Sequence, residues 1–455
     1  MYSKKSDKPI VTLTLSQLEA SAKGFDFKEI PSRLMLQLCF AEKKHSFQRV
    51  RQIIIQGKEL EGKQTKVVTE ISKDMYANIS NQKSLEAAFG KVKRNKGCAG
   101  IDRQSVAQFE AQLKTQTQEL ARLLAQKRYQ PLPVKRVFIP KANGKLRPLG
   151  IPAVRDRVVQ QAALDDIQPL LDPNMSSLSF GFRPGKSALG AVQTVKDLLE
   201  QGYRYVVDAD IADFFGTLNH QILMAKVRRN IADRDTTKLI YQFIKAGIME
   251  EGKVRANVSG TPQGGVISPI LANLYLNDLD RHIGKTGWKL VRYADDFVIL
   301  CKTVNQAVQA YRVAGEILGK LKLSFAQEKT RVIDAYQTAF TFLGYTFWRN
   351  DGRTYSFPSD KAIKAYRRKV AAATRRQQPA NVKMIIEKLN PIIRGWGNYF
   401  KSGNCKTRFR GLDGWTRMRL RSFIAKKHRL CLSAHIKYPN SYFKGLGLVF
   451  LDELV

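Results

Sequence analysis

Residues 290–300 limit the folds available to this chain more than any other stretch, because they set two adjacent carboxylates between two apolar segments. The pattern predicts a strand, a tight turn that carries Asp295 and Asp296, and a second strand. Apolar and aromatic residues on both flanks predict a position inside a sheet rather than at its edge. Two acids in such a place are costly unless they hold a cation. A solvated Asp-Asp turn is the alternative. The flanking strands have the apolar composition of buried strands, however, and this favours a metal site.

A metal site at Asp295 and Asp296 needs a further ligand, and a second acidic strand can supply it. After the apolar run at 205–207 come Asp208 and Asp210, which share one face of a strand because side chains alternate with period two. Polymerases use two Mg²⁺ ions about 4 Å apart, bridged by carboxylates, to activate a 3′-hydroxyl and to stabilise the leaving pyrophosphate. Because Mg²⁺ keeps waters and substrate phosphates as ligands, few protein carboxylates suffice. A helix N-cap is the alternative for any single acid here, and Asp213 and Asn219 are candidate caps.

The charge balance indicates the partner. The chain has 77 Lys and Arg residues against 39 Asp and Glu residues, a net charge of +38, which points to a polyanion such as nucleic acid. No apolar run is long enough for a membrane span, and the first residues lack the apolar core of a signal peptide. The five cysteines are scattered without a paired motif, which fits a reducing cytoplasm. We therefore expect a cytoplasmic protein that is associated with RNA or the nucleoid and has no membrane partner.

Periodicity and turn residues predict the remaining organisation. Residues 1–76 suggest an accessory segment of unknown role, and an amphipathic helix is predicted over 106–126. Two strands joined by an Asn-Gly turn are predicted within 134–152, and further strands at 323–330 and 340–347. A glycine-rich turn at 261–265 opens an apolar helix.

A strongly basic segment follows these strands. Residues 361–430 are mostly helical in pattern and carry 20 Lys and Arg residues against only Glu387 and Asp413. A solvated basic face is the alternative for one helix, but a segment this one-sided favours contact with nucleic acid.

Taken together, the segments from about residue 77 onward resemble the reverse transcriptases encoded by mobile group II introns of bacteria. A single Tyr-x-Asp-Asp motif would be a weak signal, whereas an ordered set is specific. The set comprises Asn-Lys-Gly (95–97) with Gly-Ile-Asp (100–102), Ile-Pro-Lys (139–141), Arg-Pro-Leu-Gly-Ile-Pro (147–152), Ser-Phe-Gly-Phe-Arg-Pro-Gly (179–185), residues 210–220, Thr-Pro-Gln-Gly-Gly (261–265) with Ser-Pro (268–269), Tyr-Ala-Asp-Asp (293–296) and Phe-Leu-Gly-Tyr (342–345). Residues 389–400 and 413–421 resemble the maturase domain of that family, which is the polymerase thumb and binds intron RNA.

The resemblance implies an α+β, right-hand polymerase fold. Residues 77–355 would form the fingers and a palm with an antiparallel sheet, and residues 356–455 a helical thumb or maturase domain. The implied metal-binding residues are Asp210, Ile211, Asp295 and Asp296, which would hold two Mg²⁺ ions, with Mn²⁺ as a substitute.

The resemblance also implies contacts with substrates. Lys141, Arg147 and Gln263 would contact the incoming deoxynucleoside triphosphate, Phe215 would exclude a ribose 2′-hydroxyl, and Lys329 would protonate the leaving pyrophosphate. The residues expected to bind primer or template are Arg183, Leu343, Gly344, Arg394, Trp396, Arg417, Arg419 and Arg421. The implied partners are an RNA template, a DNA or RNA primer and a structured intron or other non-coding RNA.

Three departures from the family pattern bear on the biological role. Gly216 stands where relatives carry Asp, which weakens the prediction of a helix start there. We expect no DNA-binding or H-N-H endonuclease domain after the thumb. The segment 1–76 has no match and is more typical of domesticated or defence-associated relatives, including those beside CRISPR systems. A splicing factor without catalysis would predict loss of the acids, and an RNA-templated RNA polymerase is disfavoured by the bulky Phe215.

Overall fold

The computed structural model describes residues 75–140, 144, 146–250, 253–255, 257, 260–261, 264–350, 352–375, 377, 379–427 and 434–455. Almost all of the predicted accessory segment, as well as Lys141 and Gln263, lies outside the described residues.

The described residues between 75 and 200 include six α-helices. They are α1 (Met75–Ser80), α2 (Gln82–Arg94), α3 (Val106–Ala111), α4 (Leu113–Ala125), α5 (Val154–Leu171) and α6 (Ala188–Glu200). The prediction of one helix over 106–126 is wrong in detail, because the chain leaves helical geometry at Gln112. Phe109 in α3 and Leu120 in α4 are both buried, so the apolar pattern continues across a break that periodicity alone does not reveal.

The predicted hairpin of the fingers is confirmed, and it belongs to a four-stranded sheet in the order β2-β1-β4-β5. The strands are β1 (Val134–Pro140), β2 (Leu146–Ile151), β4 (Ile248–Glu250) and β5 (Lys253–Arg255). β1 and β2 are antiparallel, and Gly144 in their turn has a φ of +81°, which glycine adopts at little steric cost.

The palm sheet is a second four-stranded sheet, in the order β6-β7-β3-β8. Its strands are β3 (Tyr205–Asp210), β6 (Lys289–Tyr293), β7 (Asp296–Cys301) and β8 (Arg331–Asp334). The predicted hairpin is therefore confirmed as β6 and β7, but only β7 is interior. β6 is the edge strand, and residues 178–180 cover it: the Phe180 N–H donates to Arg292 O at 2.8 Å and the Arg292 N–H donates to Leu178 O at 3.0 Å.

Side chains of the palm sheet alternate between two hydrophobic cores. Leu290 and Phe297 pack into a fingers-side core with the helices α1, α2, α5 and α8 (His220–Asn230), α9 (Arg234–Lys245), α10 (Ser268–Gly284) and α11 (Val304–Lys320). Val291 and Val298, one residue along each strand, pack into a thumb-side core that extends to Leu451. Both faces of the sheet are thus covered.

A third sheet joins palm to thumb, in the order β11-β10-β9. The prediction of one strand over 340–347 is wrong: β9 (Phe340–Phe342) and β10 (Tyr345–Asn350) are antiparallel and flank a turn at Leu343 and Gly344, whose φ values of +50° and +80° suit a two-residue hairpin turn. β11 (Arg353–Pro358) completes the sheet. The predicted strand over 323–330 is also wrong, since that stretch makes only an isolated bridge between Phe325 and Ile211.

The segment after β11 is mainly helical, as predicted. It contains α12 (Asp360–Ala373), α13 (Val382–Phe400), α14 (Lys406–Lys427), α15 (Ala434–Lys437) and α16 (Asn440–Gly445). Tyr366, Ile385 and Phe409 bury one face of each long helix in the thumb-side core. Among the described residues, no helix combines the length and the apolar character that a membrane crossing requires.

Candidate active site

Three predicted carboxylates converge at one end of the palm sheet. Asp210 is the last residue of β3, and it lies directly opposite Asp296, the first residue of β7. Asp295 occupies the two-residue turn between β6 and β7, next to Ala294, whose φ is +58°. Strand pairing between distant segments therefore assembles the acidic set that the sequence predicted.

Burial and the negative charge of neighbouring acids raise the pKa of two of these carboxylates, Asp295 and Asp296. Burial raises the pKa of Asp295, and the charge of Asp210 adds to this effect. Burial, followed by the charges of Asp208, Asp210 and Asp295, raises the pKa of Asp296 to about 7, while a hydrogen bond with the backbone of Leu343 opposes the shift. This concentration of negative charge at partly buried oxygen atoms suits a hard divalent cation.

A lysine neutralises part of this charge. The Lys329 ammonium forms an ion pair with Asp210, and this hydrogen bond raises the lysine pKa. Asp208, on the same strand face, instead pairs with Arg331 at 3.6 Å. Within the described part of the chain, no three His, Cys, Asp or Glu residues form a ready-made metal cluster. Ile211 is buried beside Asp210 and can offer a cation only its backbone carbonyl. The donors fit Mg²⁺ on the condition that water and substrate phosphates complete the coordination.

A buried arginine, which no sequence pattern singled out, supports the turn that carries Asp295. The Arg292 side chain is fully buried, and its Nε donates to Asp280 at 2.8 Å. Its Nη1 donates at 2.9 Å both to the Ala294 carbonyl and to Asn273. The guanidinium therefore ties the turn that carries Asp295 to helix α10.

The β9–β10 turn approaches the same site. Besides the bond between its backbone and Asp296, the Leu343 carbonyl accepts a hydrogen bond from Tyr399 Oη at 2.9 Å. The Gly344 carbonyl accepts one from the Ser359 N–H at 2.9 Å. The turn is thus held between the Asp296 carboxylate and residues of the helical segment that follows β11.

Phe215 borders a cavity of about 190 Å³ between the fingers sheet and the palm. Arg136 and Thr261 also line it. The Phe215 carbonyl accepts a hydrogen bond from the Thr261 N–H at 2.9 Å, and a Cβ on Gly260 would lie only 2.5 Å from that carbonyl. The loop therefore packs directly on the backbone that presents the Phe215 ring.

The short helix α7 (Phe214–Thr217) forms despite Gly216. A Cβ at Gly216 would lie 2.3 Å from the Asp213 carboxylate, so glycine leaves space for that acid. Asp213 occupies the N-cap position of α7 but makes no capping bond through its side chain. Asn219 is confirmed as a cap, since its side chain accepts from the Ile222 N–H at 3.1 Å.

The structure gives two predicted nucleic-acid contacts a different role. Arg183 is buried, and its guanidinium pairs with Asp172 at 2.6 Å and donates to the carbonyls of Ser176 and Ser179. Arg421 is likewise buried. It donates at 2.8 Å to the Tyr438 carbonyl and at 2.8 Å to the Asn440 side chain. Both side chains hold loops together, because charge in a sequence does not reveal whether the group is buried.

The other predicted contact residues differ in accessibility. Arg147 is exposed, and its charge lowers the pKa of Asp295, so it lies within electrostatic reach of the carboxylates. Arg394 is exposed on α13, whereas Trp396 packs against other aromatic rings of the thumb-side core. Arg417 and Arg419 are half-buried on α14.

Two family descriptions match separate parts of the chain. Residues 139–347 match the family described as reverse transcriptase (RNA-dependent DNA polymerase). Residues 363–437 match the family described as group II intron, maturase-specific domain.

Two curated relatives are similar to different extents. Protein YkfC of Escherichia coli is 39% identical, over 56% of this chain and 77% of that protein. The group II intron-encoded protein LtrA of Lactococcus lactis is 34% identical over 46% of this chain, and the aligned part spans only 34% of LtrA. Among solved structures, a chain of a partial Cas6-RT-Cas1–Cas2 complex is 26% identical, with a TM-score of 0.34, over 54% of this chain and 41% of that chain.

Proposed function

Because the chain belongs to the reverse transcriptases of the group II intron type, which are RNA-directed DNA polymerases, we propose that it extends a DNA or RNA primer on an RNA template with two Mg²⁺ ions. We extend the proposal to DNA templates. The observation that carries it is the cross-strand register of Asp210 opposite Asp296, with Asp295 in the adjoining turn.

Asp210, Asp295 and Asp296 would hold the ions, together with the Ile211 carbonyl. When bound, the ions would lower the pKa of the primer 3′-hydroxyl and stabilise the charge on the leaving pyrophosphate. The 3′-hydroxyl gives its proton to solvent water while its oxygen forms a bond to the α-phosphorus of the nucleotide, and the bond from that phosphorus to the pyrophosphate oxygen breaks. Lys329, which in this structure pairs with Asp210, would give its proton to the leaving pyrophosphate.

We propose that the sugar of the incoming nucleotide binds in the cavity beside Phe215. A ring at this position rejects a 2′-hydroxyl by steric clash, which favours deoxyribonucleotides. The exposed Arg147, close enough to lower the pKa of Asp295, is suited to the triphosphate. Lys141 and Gln263 remain predicted contacts.

The β9–β10 turn at Leu343 and Gly344 is the proposed support of the primer end, because it lies against Asp296. The exposed Arg394, with Arg417 and Arg419, would bind the backbone of the duplex. A second function, binding of a structured RNA by the thumb, is supported by the match of residues 363–437 to the maturase-specific domain. The cytoplasmic location and a role in splicing or in host defence stay predictions.

The test is primer extension on an RNA template by Asp210→Asn and Asp295→Asn variants. Each loses one ligand charge, and we expect extension to fall by roughly 10²–10⁴-fold, since the metal supplies several kcal/mol of transition-state stabilisation. Binding of template–primer should persist, because the cationic surface is unchanged.

Asp208→Asn is the matched control, because Asp208 shares the strand face but pairs with Arg331. This variant should retain extension. Near-normal extension by a folded Asp210→Asn or Asp295→Asn variant would refute the assignment.

A further inference from the structure

Phe182 presents an exposed aromatic ring beside the catalytic turn. The residue is 53% exposed, and its ring centroid lies 5.9 Å from that of Tyr293, the last residue of β6. Only Ala294 separates Tyr293 from Asp295 in the chain. An apolar ring exposed this close to a set of carboxylates is not explained by core packing.

The backbone that carries this ring is fixed against the turn. A Cβ on Gly181 would lie 2.4 Å from the backbone nitrogen of Ala294, so the chain can approach this closely only with glycine there. The Gly181 carbonyl accepts a hydrogen bond from Asn273 at 2.7 Å, and the same Asn273 side chain accepts from Arg292, which also binds the Ala294 carbonyl. One buried network therefore sets the positions of Phe182 and of the catalytic turn.

The exposed group of this segment is the ring and not the neighbouring charge. Arg183 is buried in its ion pair with Asp172. Phe182 adopts a φ of +56°, a left-handed conformation that a bulky side chain rarely occupies. Strain of this kind persists where the surrounding structure imposes it, and it clusters at functional sites.

We propose that Phe182 and Tyr293 form an aromatic platform on which one base of the template–primer duplex stacks, next to Asp295. The proposal rests on the polymerase function proposed above and names a contact of that same site. Aromatic rings bind bases of any sequence because every base offers a π-face, which suits an enzyme that must move along its template. The net charge of +38 brings the polyanion to this surface, while the ring adds a contact that does not depend on salt.

The experiment compares Phe182→Ala, Phe182→Leu and Phe182→Tyr in equilibrium binding of a template–primer duplex. All three side chains carry a Cβ, so the left-handed backbone strain is similar in each. Stacking on one base is worth about 1–3 kcal/mol, so the Ala and Leu variants should lose roughly 5- to 150-fold in affinity. The Tyr variant keeps the ring and should bind within about twofold of wild type. A merely structural role for an apolar side chain predicts instead that Leu rescues as well as Tyr.

Trp348→Ala is the matched control. Trp348 is 40% exposed, and it lies opposite Tyr355 in the third sheet, with the two ring centroids 5.9 Å apart. This variant should bind template–primer like wild type. An equal loss in Trp348→Ala, wild-type binding by Phe182→Leu, or a Tyr variant as weak as the Leu variant would overturn the platform.

A fluorescent base analogue, 2-aminopurine, identifies the strand. It is placed in turn at the primer terminus and at the facing template positions, and stacking quenches its emission. Emission should rise in Phe182→Leu at one of these positions, and no rise on either strand would overturn the proposal. Single-nucleotide extension at saturating duplex separates the failure of the polymerase function from the failure of the platform. Absence of extension by the wild type contradicts the polymerase function. Normal extension by Phe182→Ala, together with unchanged duplex binding, contradicts only the platform.

Discussion

Replacing Asp280 by Asn should destabilise the protein far more than the loss of an ordinary ion pair. Asp280 and Arg292 have side-chain exposures of 0% and 0%, and their charged atoms lie as close as 2.5 Å. The Asn variant leaves the guanidinium charge buried and unpaired, which typically costs about 3–5 kcal/mol. Arg292 keeps its bonds to Asn273 and Ala294, so we expect the lower end of this range, about 3 kcal/mol.

Urea unfolding, followed by intrinsic fluorescence, measures this difference. A loss of about 3 kcal/mol lowers the midpoint by ~1–3 M urea for slopes of about 1–3 kcal/mol per M. Glu453→Gln is the control, since Glu453 pairs with Lys444 at 2.7 Å while their side chains are 52% and 67% exposed. Such an exposed pair contributes only about 0–1 kcal/mol.

The double variant Asp280→Leu with Arg292→Met tests the cause. It removes both charges together, so much of the lost stability should return. Our reasoning is refuted if Asp280→Asn costs no more than Glu453→Gln, or if the double variant is less stable than Asp280→Asn.

Three further predictions concern selectivity, binding and pH. Phe215→Val should raise ribonucleotide incorporation relative to deoxyribonucleotide incorporation by roughly 10- to 200-fold in single-nucleotide extension, the range that small steric changes in a pocket produce. An unchanged ratio would mean that another residue excludes the 2′-hydroxyl. Changing Arg394, Arg417 and Arg419 together to Gln should flatten the slope of log affinity against log salt by ~0.7–0.9 for each phosphate that the variant no longer neutralises, and a titration of duplex binding with an unaltered slope would contradict this. Burial raises the pKa of Asp156 to about 6, above its unfolded value of about 3.9. The folded protein therefore binds the extra proton between these values, and the stability that this proton contributes, roughly 2–3 kcal/mol, is lost as the pH rises through 6. Asp156→Asn should remove this loss in urea titrations from pH 4 to pH 7, and an equal pH dependence in both proteins would contradict it.

The acidic set of Asp210, Asp295 and Asp296 could be predicted because local patterns determine it. The alternation that puts Asp208 and Asp210 on one strand face, and the strand–turn–strand pattern around Asp295 and Asp296, are both visible in short stretches of sequence. The predicted turn is one residue off, since the turn is Ala294 and Asp295, and Asp296 begins β7. The structure adds the register that sets Asp210 against Asp296. The sequence pattern therefore predicts each acidic strand separately, whereas the pairing of the two strands is known only from the structure.

The supports of the site could not be predicted, because they depend on contacts between distant residues. Asp280 and Asn273 reach Arg292 only after helix α10 packs against the palm sheet. The turn at Leu343 has no local signal, because a two-residue hairpin turn is usually marked by Asn or Asp before Gly. Arg183 was predicted to contact nucleic acid, since a sequence shows its charge but not the partner that buries it.

The two cores that share the palm sheet have a consequence for biosynthesis. A chain synthesised as far as residue 358 has the whole palm sheet and its fingers-side core, but Val291 and Val298 still lack the partners that come from Tyr366, Phe409 and Leu451. At ~5–20 residues per second, a ribosome needs roughly 5–20 s to add those partners. Until then, helix α6 and the third sheet cover this apolar face without the helices of the thumb. Nascent enzyme therefore passes through an aggregation-prone stage that ends only when the thumb emerges, so a pause of translation within the thumb should increase its dependence on chaperones.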